Sequence, residues 1–389
     1  MGNRVELCNS QNCTQCHACE SECPRNCISF VEAKDGFLIP IINRDLCIEC
    51  GRCMSVCHQF NNPKLLRLGK PKSYAAWNKD DKIRAKSSSG GVFSVLSEKI
   101  IQGGGVVFGS VMDDKFQVHH TYATCKEDLV LMRGSKYVQS DLTGVYIKVK
   151  DYLKKGRTIL FTGTPCQVAG LYCYLKKDYA NLYTCDLICH GVPSQKAFDI
   201  YCYKIAIKKR NACEIGFRNL KGWGLQMAYK SQLISSLEDC DNKWVDLSPL
   251  NSYYLRAFSK GLMFNEACYS CKYTQVNRLS DFTLADYWGI GAMTPFNYPK
   301  RKGVSLFLVN SDKANSFVSG IDDLFLIERT LEEAIKGNRN LTHSSERPIG
   351  RDSYYEDSLN MNINCLMEKY KIQPSFKDYA RFLRRKILG

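Results

Sequence analysis

Between Cys13 and Cys23 the chain reads Cys13-Thr14-Gln15-Cys16-His17-Ala18-Cys19-Glu20-Ser21-Glu22-Cys23-Pro24, four cysteines at gaps of two, two and three residues and then a proline. Cys47, Cys50, Cys53 and Cys57 repeat the spacing 34 residues later. Thiols at this density leave little room for an ordinary apolar core, so the segment has to fold around what they bind. Two-residue gaps let a tight loop wrap three thiolates around one iron-sulfur cubane, and the three-residue step turns the fourth cysteine toward a second cubane. The expected ligand sets are therefore Cys13, Cys16, Cys19 with Cys57, and Cys47, Cys50, Cys53 with Cys23, for two 4Fe-4S clusters in a ferredoxin-type module.

Disulfides and zinc are the competing uses of such cysteines. Of 21 cysteines, ten fall between Cys8 and Cys57, but the opening MGNRVELCNSQNC lacks the apolar core of a secretory signal, and outside secretion this spacing favours metal. A zinc ribbon uses two CxxC pairs, whereas each half here carries three cysteines in CxxCxxC order plus a fourth. The second copy ends in His58 instead of proline, which alters the exit turn and leaves the ligand count intact. Cys8 and Cys27 lie off the repeat and read as unligated, and His17 reads as a supporting or surface residue. No apolar run reaches the ~18 residues of a membrane helix, so no membrane span and a cytoplasmic location are expected.

Past the module, His58-Gln59-Phe60-Asn61-Asn62-Pro63-Lys64 and Lys70-Pro71-Lys72 read as a polar, proline-marked linker. Apolar β-type runs then alternate with helical patterns. Strands are expected at 105–112, 157–162, 182–188 and 304–309, and helices at 141–155, 165–177 and 195–209, an α/β pattern with some parallel pairing. Residues 211–300, with Gly222-Trp223-Gly224 and Tyr287-Trp288-Gly289, read as strands and long loops. From Tyr370 on, Phe376, Tyr379, Ala380, Leu383 and Ile387 fall on one helical face, expected to dock on the protein's own core. The net charge is +15, yet residues 1–60 carry more Asp and Glu than Lys and Arg. The basic excess thus lies in the larger part, suited to an acidic electron carrier, a phosphorylated cofactor or an anionic substrate. Neither a basic stripe interleaved with stacking aromatics nor helix-turn-helix or zinc-finger spacing is present, which argues against nucleic acid.

Five further motifs occur in order: Ser87-Ser88-Ser89-Gly90-Gly91-Val92-Phe93-Ser94, Gly134-Ser135-Lys136-Tyr137-Val138-Gln139-Ser140, Thr162-Gly163-Thr164-Pro165-Cys166-Gln167, Cys189-His190-Gly191-Val192-Pro193-Ser194, and Cys268-x2-Cys271 with Asp286-Tyr287-Trp288-Gly289. Together they resemble the beta-subunit family of coenzyme F(420) hydrogenases and dehydrogenases, over about residues 5–310. The resemblance implies an FAD-containing domain that exchanges a hydride with an organic substrate or deazaflavin and single electrons with the clusters. It also suggests a third 4Fe-4S cluster on Cys166, Cys189, Cys268 and Cys271, where zinc is the competitor. The expected division is a ferredoxin-like domain (1–68), a larger flavin-binding α/β domain (72–345) and a helical tail (346–389).

Several residues carry these expectations. Ser88, Ser89, Gly90 and Gly91 precede an apolar helix and read as a phosphate cradle, against the plain alternative of a helix cap. Thr162, Gly163 and Thr164 follow a strand and open a helix, where α/β sheets place ligands. Lys136 and His190 are the candidate catalytic side chains, Lys136 as a cation beside reduced flavin. Cys125, Cys173, Cys185, Cys202, Cys213, Cys240 and Cys365 have no partner at motif spacing and read as free thiols. The expected partner is an electron-carrier protein or a second redox subunit, and an electron-transfer role without a substrate pocket is the alternative.

Overall fold

The computed structural model describes residues 5–63, 67, 69–218, 223–231 and 244–388; Gly222 and Cys240 lie outside them. The N-terminal module consists of α1 (Ala18–Glu22), β1 (Ile28–Glu32), β2 (Leu38–Ile42) and α2 (Arg52–Ser55), with β1 and β2 antiparallel. Its sequence repeat is also a backbone repeat. Gln15 and His17 have φ of 56° and 59°, and Glu49 and Gly51, at the same places in the second copy, have 51° and 67°. Left-handed residues are sterically costly for all but glycine. Here they occupy the gaps between cysteines, so the chain doubles back within each gap. The module's own core is Val5, Cys27, Ile28 and Cys53, with Leu7, Cys19, Cys23, Ile42, Cys47 and Met54 packed around it.

The rest of the chain is built on β3 (Lys72–Asn78), α3 (Asp81–Ala85), α4 (Val92–Gln102), β4 (Val106–Met112), β5 (Val118–Ala123), α5 (Lys126–Met132), α6 (Val145–Lys154), β6 (Ile159–Thr162), α7 (Pro165–Leu175), β7 (Leu182–Leu187) and α8 (Gln195–Lys204). There follow β8 (Ala212–Arg218), β9 (Leu225–Ser231), β10 (Trp244–Asp246), α9 (Tyr253–Ser259), β11 (Phe282–Asp286), β12 (Ser305–Val309), α10 (Asp312–Val318), β13 (Leu324–Glu328), α11 (Leu331–Gly337), α12 (Arg351–Asn360), α13 (Ile363–Lys369) and α14 (Phe376–Leu388). Eight strands form one mixed sheet in the order β13-β3-β12-β11-β7-β6-β4-β5, with β4, β6, β7 and β11 mutually parallel at its centre. Alternate residues face opposite layers, as strand geometry requires. Val106, Phe108, Ile159 and Phe161 pack with α6 and α7, whereas Val107, Val111 and Leu160 pack with α4 and α10. Strands β8, β9 and β10 make a separate antiparallel sheet.

Three expectations shift. The helix expected over 195–209 ends at Lys204, and Ala206, at φ 51°, leads into a separate 3-10 turn over Ile207–Arg210. The helix expected over 141–155 begins at Val145, because the Asp141 carboxylate accepts from the Thr143 amide and hydroxyl and Gly144 stands at φ 72°. The C-terminal helix leaves its described large apolar side chains exposed, Phe376 at 87% and Leu383 at 56%, and Ile387 lies outside the described side chains. Its amphipathic period is genuine, but the neighbouring core of α8, α9, α12 and α13 is already filled by Tyr354, Tyr355, Leu366, Met367, Tyr370 and Ile372. No helix among the described residues is long and apolar enough to cross a membrane.

The module is seated on the larger part by specific contacts. Phe37, at the β1–β2 turn, enters the same core as Phe198 and Tyr355. Arg351 bonds Asp35 at 2.7 Å, and Gly36, at φ 75°, lies where a Cβ would fall 2.2 Å from that of Lys196. On the other side Glu22 is buried between Arg52 and Lys176, at 3.0 and 2.8 Å.

Candidate metal centres and redox site

The eight module cysteines surround two adjacent cavities. One is lined by Cys13, Cys16, Cys19 and Cys57, and also by Cys8 and Cys53. The other is lined by Cys23, Cys47, Cys50 and Cys53, and also by Cys27. Cys53 therefore borders both, and the fourth cysteine of each copy faces the cavity of the other, as the spacing implies.

A third cavity collects Cys166, Cys189, Cys268 and Cys271 from widely separated segments. Strands β6 and β7 are parallel neighbours, so the residues just past their C-terminal ends emerge side by side. Cys166 is thereby set at the start of α7, and Cys189 just beyond β7. The loop carrying Cys268 and Cys271 is tied on by the Asn265 amide, which donates to Val192 O at 3.0 Å, and by a bridge between Pro193 and Phe264. Arg278 and Asp186, both buried, pair at 2.9 Å, and Arg278 also donates to Tyr273 O. An ion pair under β7 thus anchors the turn after Cys271.

Among the described residues no three His, Cys, Asp or Glu side chains converge closely enough to hold a single metal ion. The thiols instead ring cavities, and a cubane is bound at its corners. Burial pushes the thiol of Cys166 up to about 11 and that of Cys189 up to about 12, and it raises Cys268 and Cys271 as well. Buried thiols of this kind ionise only against a bound cation, which suits an all-cysteine metal site.

The first and third cavities meet at one residue, since Thr14 borders both. His58 spans the same boundary. It is 1% exposed, with Thr14 Oγ1 at 2.7 Å from one ring nitrogen and Tyr273 Oη at 2.6 Å from the other, and its carbonyl accepts from Lys272. Burial pushes its pKa down to about 3, so the ring is neutral. The departure from proline at this position thus has a structural role beyond the exit turn. It joins the residue after Cys57 to the two residues after Cys271.

The flavin-directed residues are placed less uniformly. Ser88 Oγ accepts from the Ser135 amide at 2.7 Å, Ser89 Oγ donates to Val304 O, and the Gly90 amide donates to Ser305 Oγ. A Cβ on Gly90 would lie 2.3 Å from Ala76 O, so this glycine is required by the approach of its own loop to β3. Gly91, at φ 80°, is the residue before α4. Thr162 Oγ1 donates to Phe108 O, and the Thr164 amide donates to Gln167 Oε1 at 2.8 Å, so Gly163 and Thr164 form a capped helix start. Lys136 donates to Leu131 O and Arg133 O at 3.0 Å, and burial pushes it down to about 7. His190 is exposed and lines the third cavity.

What the sequence reading missed is Arg218. It is buried, pairs with Asp286 at 2.7 Å, and donates to Tyr137 Oη and Ser88 O, both at 3.0 Å. Trp223 donates to the same carboxylate at 2.6 Å and stacks on Trp288, centroids 5.1 Å apart. The serine-glycine loop, the Ser135-Lys136-Tyr137 segment and the Asp286-Tyr287-Trp288 segment thus converge on one guanidinium, whose Nε is buried without a partner among the described residues. Only a lone arginine in an irregular stretch marks this in the sequence.

Comparison with known proteins matches three stretches of the chain. Residues 156–333 match the family described as the C terminus of the coenzyme F(420) hydrogenase/dehydrogenase beta subunit, and residues 73–146 match its N-terminal counterpart. Residues 12–60 match the 4Fe-4S dicluster domain. An uncharacterized protein of Methanocaldococcus jannaschii is 26% identical over 240 residues, 54% of this chain, and the chain spans 65% of that curated relative's length. A chain from a xenon-derivatized structure of the F(420)-reducing NiFe hydrogenase complex from Methanosarcina barkeri aligns with TM-score 0.47 and 18% identity, over 78% of this chain and 93% of that one.

Proposed function

Because the chain belongs to the coenzyme F(420) hydrogenase/dehydrogenase beta-subunit family and carries a 4Fe-4S dicluster domain before it, we propose that it is the part of an oxidoreductase that carries single electrons between a protein partner and an organic redox site. The observation that carries this reading is continuity. Cys53 borders the first two cavities and Thr14 the first and third, so the three cysteine sets form one unbroken series. Clusters of the 4Fe-4S type held there supply one-electron transfer.

The series has an outer and an inner end. Cys50 is exposed and Ile48, which lines the same cavity, is 60% exposed, so an electron-carrier protein or partner subunit meets the chain at the Cys47 set. The inner end is the Cys166 set, whose cavity His190 also lines. Beyond it, the Arg218 cluster supports the finer half of the proposal, an FAD site. A buried guanidinium with an unpartnered Nε suits an anionic part of that cofactor, and the neighbouring Trp223 and Trp288 suit an aromatic one. Bound FAD supplies interconversion of single electrons with a hydride pair on an organic substrate or deazaflavin. Lys136, pushed down to about 7 by burial, is the residue proposed to take up a proton beside an anionic reduced flavin.

A second reading, an electron-transfer subunit without its own flavin, is favoured by the polar atoms of Ser88, Ser89 and Gly90, which are already bonded within the protein. Anaerobic purification with iron, sulfide and flavin measured together separates the two. The first reading expects about twelve irons per chain and FAD; the second expects the iron without FAD. Fewer than about five irons after full reconstitution contradicts both.

A further inference from the structure

Cys27, which lies outside the repeated spacing, is folded back onto the module. Asn26, at φ 48°, turns the chain after Pro24 so that the Asn26 amide donates to Cys23 O. The Cys27 amide then points at Cys23 Sγ at 3.4 Å, and the two sulfurs are 3.3 Å apart. Cys27 is 5% exposed and lines the same cavity as Cys23, Cys47, Cys50 and Cys53. A fifth thiol therefore stands beside the ligand that crosses from the first copy to the second. At the other cavity a second off-repeat thiol, Cys8, 8% exposed, lines the same space as the crossing cysteine Cys57.

We propose that Cys27 is a stand-in ligand for the cluster site of Cys47, Cys50 and Cys53, able to take the iron corner that Cys23 occupies. The exchange needs no oxidant. The Cys27 S–H proton passes to the Cys23 sulfur as the bond from Cys23 to iron breaks and a bond from Cys27 to iron forms. With the two sulfurs 3.3 Å apart, Cys27 would take the corner by moving its sulfur to about where that of Cys23 stands. The inference rests on the cluster assignment above and deepens it, since it names a ligand that the repeat does not contain. It also gives the loop over 23–27 a purpose that an apolar residue at position 27 would not serve.

The test is iron content and the low-temperature EPR spectrum of the full chain, purified anaerobically as Cys23→Ala, Cys27→Ala, the double variant and Cys50→Ala. Wild-type and Cys27→Ala protein should hold about twelve irons, and Cys23→Ala should hold the same number with an altered cluster signal, whereas the double variant and Cys50→Ala should fall to about eight. If Cys23→Ala loses iron as fully as the double variant, or cannot be recovered folded, Cys27 does not stand in and the proposal is overturned. If Cys27→Ala alone loses a cluster, Cys27 is the resident ligand and the proposal is equally overturned. Wild-type protein that itself lacks the module's irons would instead overturn the underlying cluster assignment.

Discussion

The module cysteines and the Cys166 set are both all-thiol sites, yet they are held in opposite ways. In the module, thiols are a large share of the core: Cys27 and Cys53 are among its few buried apolar residues, and Cys19, Cys23 and Cys47 pack against them. Around Cys166, Cys189, Cys268 and Cys271 the surrounding fold is held by its own contacts. An eight-stranded sheet, two helical layers and a buried ion pair place those side chains. Under the proposed function, the module would be folded by its metal, whereas the Cys166 set would be presented to a metal by a fold that stands on its own contacts.

Iron removal should expose that contrast most strongly. A metal-folded segment forfeits on the order of 10 kcal/mol when its metal leaves, so chelation should abolish amide protection across residues 5–60 while the central strands β4, β6, β7 and β11 stay protected. Hydrogen exchange followed by mass spectrometry reads both regions at once. Equal loss in the two regions would break the comparison.

The next effect works from the other side. Asp186→Ala leaves Arg278 buried without its partner, a change that costs about 3–5 kcal/mol. It should lower the melting temperature of the large domain and loosen the loop bearing Cys271 without changing the iron bound by the module. Iron analysis beside calorimetry checks this.

A pH effect sharpens the same division. His120 is buried, donating from Nε2 to Thr162 O at 2.9 Å and accepting from Ser140 Oγ at 2.7 Å, and burial pushes its pKa down to about 4. Its folded pKa lies below the ordinary histidine value, so the unfolded chain binds the extra proton. The stabilisation is present above about pH 6.5 and is lost as pH falls toward 4, by at most about 3 kcal/mol. Denaturant titrations between those pH values should show the loss in the large domain, and His120→Gln should flatten it. An unchanged slope in the variant would assign the acid sensitivity elsewhere.

The smallest effect lies at the seam. A Cβ at Gly170 would meet Cys16 Cβ and Sγ, and Tyr146 Oη, each at 2.9 Å. Gly170→Ala should therefore cost about 1–3 kcal/mol through overpacking and shift the EPR signal of the Cys13 set more than that of the Cys47 set.

The same contrast governs what the sequence reveals. The module ligands are legible because sequence distance sets spatial distance within a tight loop, down to the repeated left-handed residues at Gln15, His17, Glu49 and Gly51. The third set is separated by up to about a hundred residues, and only the resemblance to a family joined it, since the meeting of β6 and β7 is a property of the sheet. Strand-helix alternation disclosed the parallel centre, β4, β6 and β7. It could not disclose Arg218, whose partners come from three distant motifs, or the return of Cys27 onto Cys23, which depends on a left-handed Asn26. The amphipathic period of α14 marks a face correctly but does not say what covers it, and here Phe376 and Leu383 stay exposed.

If the three cysteine sets form one electron path, Cys271→Ala should interrupt it. Rapid mixing with a reductant that enters at the exposed Cys47 set, observed by freeze-quench EPR and absorption, resolves the module clusters from whatever lies beyond the Cys166 set. The variant should hold about eight irons, with its module clusters reduced at the parental rate, transfer beyond them slowed at least about tenfold, and the large domain still folded. Transfer at the parental rate in folded Cys271→Ala protein would contradict that path.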